Sequence, residues 1–306
     1  SSMKIYAAVI IFVFLVPYAA SVYKGLGVLF SAIFPGASEI VCMAIVAGLT
    51  AVYLVLGGYV ATAVNDFIQG IIMLVGVVLL IVAILTRPEV GGIAGMFEQL
   101  AAVPASEVVP GGGSQLVNFW GGDSLQFLLT NILLTSIGVW GLPQMVHKYY
   151  TISDESQINK ATIISTVFAL VIGIGAYLVG STGHLFLEAA PDGAPVVGYD
   201  NVMPTILMQA LTGNVWLNIL LSIIMLLLLS ASMSTLAAIV LTSSSAISVD
   251  IVKAVKPGIS DKSQMLIMRL LCLLFVVLSF IFATLNISFI VNIMSCSWGG
   301  VAGWFI

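Results

Sequence analysis

The chain has 306 residues, 60% of them hydrophobic and only 7% charged, with a net charge of −4. A soluble globular protein carries about 25% charged residues, so this chain has too few to cover a water-facing surface, and its mean hydropathy of +1.19 points to an all-α polytopic membrane protein. No basic block suggests nucleic acid, and the short alternating segments of a membrane β-barrel are absent. Cys42, Cys272 and Cys296 stand singly in apolar runs without metal-ligand spacing, the pattern of small buried thiols.

In chain order the sequence predicts eight apolar helices, at about 5–33, 38–57, 60–86, 124–149, 158–187, 213–249, 263–286 and 288–306, each near or above the roughly 20 residues that one crossing needs. The first and sixth exceed that length and are expected to tilt or project. The first run is too long and too apolar for a signal peptide. FPGAS separates the first two helices, and Gly57–Gly58 is expected to separate the second from the third. Two connections are long. Residues 87–123 hold a candidate short helix near GGIAGMFEQL, and residues 188–212 hold another near DNVMPTILMQAL.

Basic residues set the expected orientation. Lys4, Lys148, Lys160, Lys253, Lys256, Lys262 and Arg269 fall on one side. The 87–123 connection sets Arg87 against Glu89, Glu98, Glu107 and Asp123, and the 188–212 connection carries Glu188, Asp192 and Asp200 with no base. The expected topology is one transmembrane domain over 1–306 in the plasma (inner) membrane, with the N-terminus of this chain cytoplasmic and both acidic connections extracellular. Lys24 is the exception, and snorkelling is its expected explanation.

Polar residues inside apolar spans are the informative ones. Asp66 opens the predicted third helix, either as a carboxylate complementing the helix dipole or as a charge that pairs across helices, gates, or shapes an ion path. The stretch SASMSTLAAIVLTSSSAIS, 230–248, carries nine hydroxyls. At 100° per residue Ser234 and Thr235 project from neighbouring faces, with the Ala231 carbonyl a turn below. Three hard oxygens suit Na⁺, whereas zinc or copper would draw on His or Cys; the alternative is close helix packing by small residues. Thr242 to Ser245 read as packing or water contact. In SIGVWGLPQMVHKYY, 136–150, Pro143 removes the donor to the Val139 carbonyl, leaving either a kink or a broken helix lining a cavity. His147 and His184 read as structural, and Ser153 as a helix cap with Asp154 and Glu155 in the first turn.

Four ordered motifs resemble the sodium/solute symporter family, which includes the sodium/proline and sodium/glucose carriers. GGYVATAVNDFIQ is similar to the family's GGxxAVxxTDxxQ, matching at Gly57, Gly58, Ala61, Asp66 and Gln69 and departing at Val64 and Asn65. WGLPQ matches W-G-x-x-Q at Trp140, Gly141 and Gln144. ASMSTLAAIVLTSSSAISVDI is close to AxxSTLxxxLxxxSSAIxxD, and SWGGVAGWF resembles a later W-x-G segment. The resemblance implies two inverted five-helix repeats, of which this chain would supply core helices three to ten. It also implies sodium held by the Ala231 carbonyl and the Ser234 and Thr235 hydroxyls, with no other cofactor. It puts a substrate pocket around Thr135, Gly138, Val139, Trp140 and Gln144.

A second sodium site in some members uses two further hydroxyl positions, which are Ala237 and Ala238 here, so one Na⁺ per cycle is expected, with Asp66 structural or gating. The proline carrier's aromatic pair falls at Thr135 and Val139, and the sugar carriers' polar position at Pro143, so neither solute is expected, and an anionic or small polar organic solute remains. The upstream helices of the family have no counterpart in these 306 residues, so the expected partners are a small solute, Na⁺, the bilayer and those helices, and the chain alone is not expected to transport. The alternatives are a proton-coupled permease of the same architecture and a non-transporting membrane protein derived from a symporter. An intramembrane enzyme would need a paired aspartate, a Ser–His pair at depth or HExxH, and the sequence offers none of them.

Overall fold

The computed structural model describes residues 2–34, 36–120, 125–149, 152 and 154–305, with residues 2, 56–62, 147–149, 302, 304 and 305 described by backbone alone. In the bilayer core no water can satisfy a free backbone N–H or C=O, so apolar runs close their hydrogen bonds within helices. Thirteen α-helices are described: α1 Ser2–Ile33, α2 Glu39–Leu85, α3 Gly92–Ala101, α4 Gly112–Leu116, α5 Leu125–Leu133, α6 Pro143–Tyr149, α7 Ser156–Ser181, α8 Gly183–Phe186, α9 Val202–Ala210, α10 Val215–Ser245, α11 Lys253–Val255, α12 Asp261–Thr284 and α13 Ile290–Phe305. Among the described residues the sole β-type pairing is an isolated bridge, Ala189 with Pro195. α3 and α9 are the short helices expected inside the two long connections.

Among the described residues five helical stretches are long and apolar enough to cross a membrane: Met3–Ile33, Ala63–Leu85, Ser156–Phe186, Val215–Val255 and Asp261–Thr284. Three shorter apolar stretches, Glu39–Val55, Leu125–Gly138 and Ile290–Val301, complete the set. These eight stand where the eight spans were expected. Large apolar side chains such as Ile163, Ile164, Val167 and Ile174 on α7 are exposed, as befits a surface that meets lipid tails.

The structure corrects four expectations. α2 runs unbroken for 47 residues, so Gly57–Gly58 does not end a helix. Asp66 consequently lies deep inside α2, and the helix-terminus reading of its charge falls away. Lys24 does not snorkel. It is 7% exposed, and its ammonium donates to the Ser288 carbonyl at 2.8 Å, a partner inside the protein on the α12–α13 connection. Cys42 and Cys272 are buried as expected, whereas Cys296 is exposed.

The chain forms two compact units. The first comprises residues 1–69, 133–153 and 231–306. Here α1 packs along α12 and α13. Phe12 meets Phe275 edge to face at 5.3 Å, and Tyr18 meets Trp298 likewise at 5.7 Å. Ser297 donates to the Phe14 carbonyl, and a Cβ at Gly300 would run into the Phe14 ring. α10 continues through a π-helical turn, Ala246–Val252, which packs on α1 and α12. The second unit comprises residues 70–132 and 154–230. Within it Gly175 on α7 lets Val77 and Ile81 of α2 approach closely.

Ser153, the expected cap of α7, lies outside the described residues. Glu155 is the N-cap and makes no side-chain cap bond, so neither acid lies in the first turn, where both were expected. Asp154, one residue before the cap, ties down the helix start instead: its carboxylate accepts from the Ser156 N–H at 3.0 Å and the Ser156 hydroxyl at 2.7 Å. These bonds favour the charged form and hold the Asp154 carboxyl below the usual carboxylate value.

Two outcomes are expected. Gly300→Ala drives a methyl into the Phe14 ring and should lower the thermal midpoint of the detergent-solubilised protein, by about 1–3 kcal/mol in stability. Gly299→Ala, whose Cβ meets nothing within 4 Å, should not. Asp154, having a depressed folded pKa, contributes stability above the unfolded carboxylate value that is lost as pH falls through the folded one. Amide exchange at Ser156, corrected for intrinsic rate, should therefore speed up on acidification in the parent and be fast at every pH in Asp154→Ala.

Candidate sodium and solute site

Two helices bring the polar groups of the first unit together. α2 presents Asp66 and α10 presents the hydroxyl stripe. Ser234 Oγ donates to Asp66 Oδ1 at 2.7 Å, and the Thr50 hydroxyl of α2 donates to Sδ of Met233, the residue before Ser234 on α10, at 3.6 Å. Thr235 Oγ1 donates to the Ala231 carbonyl at 3.0 Å. A hydroxyl has one proton and two lone pairs. With both protons committed elsewhere, the Ser234 and Thr235 oxygens keep lone pairs as acceptors.

Both residues line a cavity of about 110 Å³, together with Tyr18, Gln144, Met145 and Ala238. Gln144 is 4% exposed, and its Oε1 is buried with no hydrogen-bond partner in the protein. Hydroxyl and amide oxygens therefore converge on one small space. No histidine, cysteine or carboxylate lines it, and no group of three such residues able to hold a metal ion occurs among the described residues. That donor set suits a hard monovalent cation rather than zinc or copper.

The expected sodium residues separate at this point. Ser234 and Thr235 reach the cavity. Ala231 does not line it, and its carbonyl accepts from the Thr235 hydroxyl. Asp66 stands behind Ser234, outside the lining. Ala238, expected to lack a second-site oxygen, lines the cavity with its methyl group, while Ala237 is buried at 1%.

The segment after α5 is a broken helix. A π-helical turn, Leu134–Gly138, is followed by an interruption at Gly141–Leu142, and Pro143 opens α6, where its missing N–H costs nothing and its fixed φ suits a first helical position. The Val139 carbonyl, expected to be freed by Pro143, accepts from the Leu142 N–H at 3.1 Å; the tighter turn satisfies it. The break carries Gln144 into the cavity. Thr135, Gly138, Val139 and Trp140 do not line it: a Cβ on Gly138 would sit 3.7 Å from Trp298, and the Trp140 side chain is 69% exposed.

Sequence reasoning missed Tyr18. Within α1 it reads as one more large apolar residue, and its neighbour Pro17 is the only local signal. Its place depends on Trp298 of α13, 280 positions away along the chain, which no local pattern encodes.

Comparison with known proteins agrees with this architecture. The model of the sodium:solute symporter family matches residues 1–305. The osmoregulated proline transporter OpuE of Bacillus subtilis (strain 168) is 27% identical over 310 residues, covering 100% of this chain and 58% of that protein. The sodium/proline symporter of Staphylococcus aureus is 26% identical over 314 residues, covering 99% of this chain and 56% of its own length. The sodium/pantothenate symporter of Haemophilus influenzae (strain ATCC 51907 / DSM 11121 / KW20 / Rd) is 26% identical over 206 residues, covering 67% and 39%. A solved structure described as the substrate-bound outward-open state of a Na⁺-coupled sialic acid symporter superposes with a TM-score of 0.73 at 19% identity, covering 98% of this chain and 62% of that one; it has the same fold. The chain thus spans less than two thirds of the length of these relatives. It is a multi-pass membrane protein, and it belongs to the sodium:solute symporter family.

Proposed function

We propose that this chain forms the ion-binding core of a sodium-coupled secondary transporter, which imports a small polar organic solute by alternating access. The observation that carries the reading is the small cavity at which the Ser234 and Thr235 oxygens meet the buried Gln144 amide. Its volume of about 110 Å³ has room for an ion and about three waters. Ser234 and Thr235 act as oxygen ligands, and Ala231 adds its carbonyl once the Thr235 hydroxyl rotates. Asp66 does not touch the ion. It holds the Ser234 proton, directs that oxygen's lone pairs inward, and offsets the arriving positive charge through the hydroxyl.

Gln144 and Tyr18 form the solute side, with donors suited to a carboxylate or carbonyl. Proline, pantothenate and sialic acid, named for the relatives, all carry a carboxylate, which favours a small carboxylate-bearing solute here. Because Ala237 and Ala238 supply no side-chain oxygen, one sodium accompanies each solute. The cycle then follows from sodium binding one state of the carrier better than the other. A second reading has one observation in its favour: a carboxylate bonded to a cavity hydroxyl is a group that could carry a proton.

Thermal unfolding of the purified protein, in Na⁺ against K⁺ at fixed pH and ionic strength, decides between them. Sodium should raise the midpoint, by about 2.7 kcal/mol in stability at a hundredfold excess over Kd, with a Hill coefficient near one. Ser234→Ala and Thr235→Ala should abolish the effect. Asp66→Asn, which keeps an acceptor for Ser234 but removes the charge, should weaken sodium about tenfold, equivalent to about 1.4 kcal/mol. Stabilisation that follows pH and ignores sodium would overturn the sodium reading in favour of proton coupling, and a Hill coefficient near two would overturn the single ion.

A further inference from the structure

A second, larger cavity lies in the other unit and shares no residue with the sodium candidate. It has a volume of about 330 Å³, within the range of small-molecule sites, and is built from the two long connections with the ends of α5, α7 and α9. Its walls are preformed. The Val108 N–H donates to the Asp192 carbonyl at 2.8 Å, tying one connection to the other. Gly193, at φ 88°, takes a backbone conformation that side chains disfavour and lies directly against Ser106. Ala189 bridges to Pro195, closing the loop beneath.

The lining is apolar through Phe127, Leu187 and Val202, with Tyr199 and His184 among its polar members. Glu188 is its one carboxylate, and no lysine or arginine lines it. The same sign dominates the surroundings: among the described residues the two connections carry six carboxylates against Arg87 alone, a field that concentrates cations and repels anions. A cavity with one exposed carboxylate and a largely apolar wall, of which Phe127 is the outermost member at 72% exposed, is complementary to a molecule with one cationic head and an apolar body.

We infer that this cavity is a binding site for a small amphipathic ammonium ion, its head on Glu188 and its apolar body against Phe127, Leu187 and Val202. The inference does not rest on the sodium reading, and binding should survive Ser234→Ala unchanged. Fluorine NMR of the detergent-solubilised chain with 4-fluorobenzylammonium is the test. Saturable binding is expected, weakened about fivefold by Glu188→Gln, the scale of one solvent-accessible charge pair, and weakened also by Val202→Phe, which fills the cavity. Glu98→Gln, an exposed carboxylate outside the lining, should leave it intact. Displacement of the probe by short-chain phosphatidylethanolamine would identify a lipid headgroup as the source of the ammonium; no displacement would leave a free amine. Equal binding of 4-fluorobenzyl alcohol, absence of saturable binding, or indifference to Glu188→Gln would overturn the site.

Discussion

The bond from the Ser234 hydroxyl to the Asp66 carboxylate, 2.7 Å long, is what the polar centre of the first unit depends on. A carboxylate well inside an apolar helix costs about 2.5–3.5 kcal/mol to insert, and a hydroxyl donor at this distance makes a charge-assisted bond. The bond therefore does two things at once. It gives the charge a partner, and it fixes the direction of a hydroxyl that would otherwise rotate freely. Because that proton points away from the cavity, the oxygen meets the cavity as an acceptor. The Thr235 hydroxyl is turned in the same sense by the Ala231 carbonyl. Two residues that are chemically able to donate or accept are thus made to accept.

Around this centre the remaining helices act as a frame. α1 contributes Tyr18, and α13 holds Tyr18 in place through Trp298. The same seam is drawn tight where Ser297 meets Phe14 and where Gly300 removes any obstacle to the Phe14 ring. At the far end of α1, Lys24 reaches the Ser288 carbonyl, so the approach to α13 is anchored by a buried ammonium. Gly138 abuts Trp298 from the broken helix. A single tryptophan therefore adjoins two of the segments that shape the cavity or lead into it, through its indole at Tyr18 and its Cβ at Gly138.

Much of this was legible in the sequence, for a physical reason. Long apolar runs have one low-energy form in hydrocarbon, so the eight segments could be placed from composition. Hydroxyls and a carboxylate inside such runs are costly enough to stand out, which is why Ser234, Thr235 and Asp66 were found. The reading of Gly57–Gly58 as a break failed because it borrowed a rule from water. Glycine costs a helix about 1 kcal/mol relative to alanine, but leaving the helix inside a bilayer costs several per unsatisfied backbone group, so α2 continues. The Val139 carbonyl was misjudged for the same reason: the backbone around Pro143 found another donor. Lys24 and Tyr18 escaped because their partners, Ser288 and Trp298, lie more than 250 positions away. Trp140, whose motif drew it into the expected pocket, faces outward by a rotation that the motif does not encode.

The methyl group of Ala238 in the cavity wall bears on how steep a gradient such a protein could sustain. A charge crossing the membrane potential releases about 2.3 kcal/mol per 100 mV. If one sodium moves with each solute of zero net charge, such as a zwitterion whose carboxylate is balanced by its own ammonium, the voltage alone supports an accumulation of about fiftyfold at 100 mV, at 1.36 kcal/mol per factor of ten. A second coupled ion would square that figure and double the charge consumed per molecule imported. A hydroxyl in place of that methyl would add an oxygen to the wall without altering the helices behind it. The thermodynamic ceiling of the proposed carrier and the charge it consumes would then both turn on the identity of one small side chain.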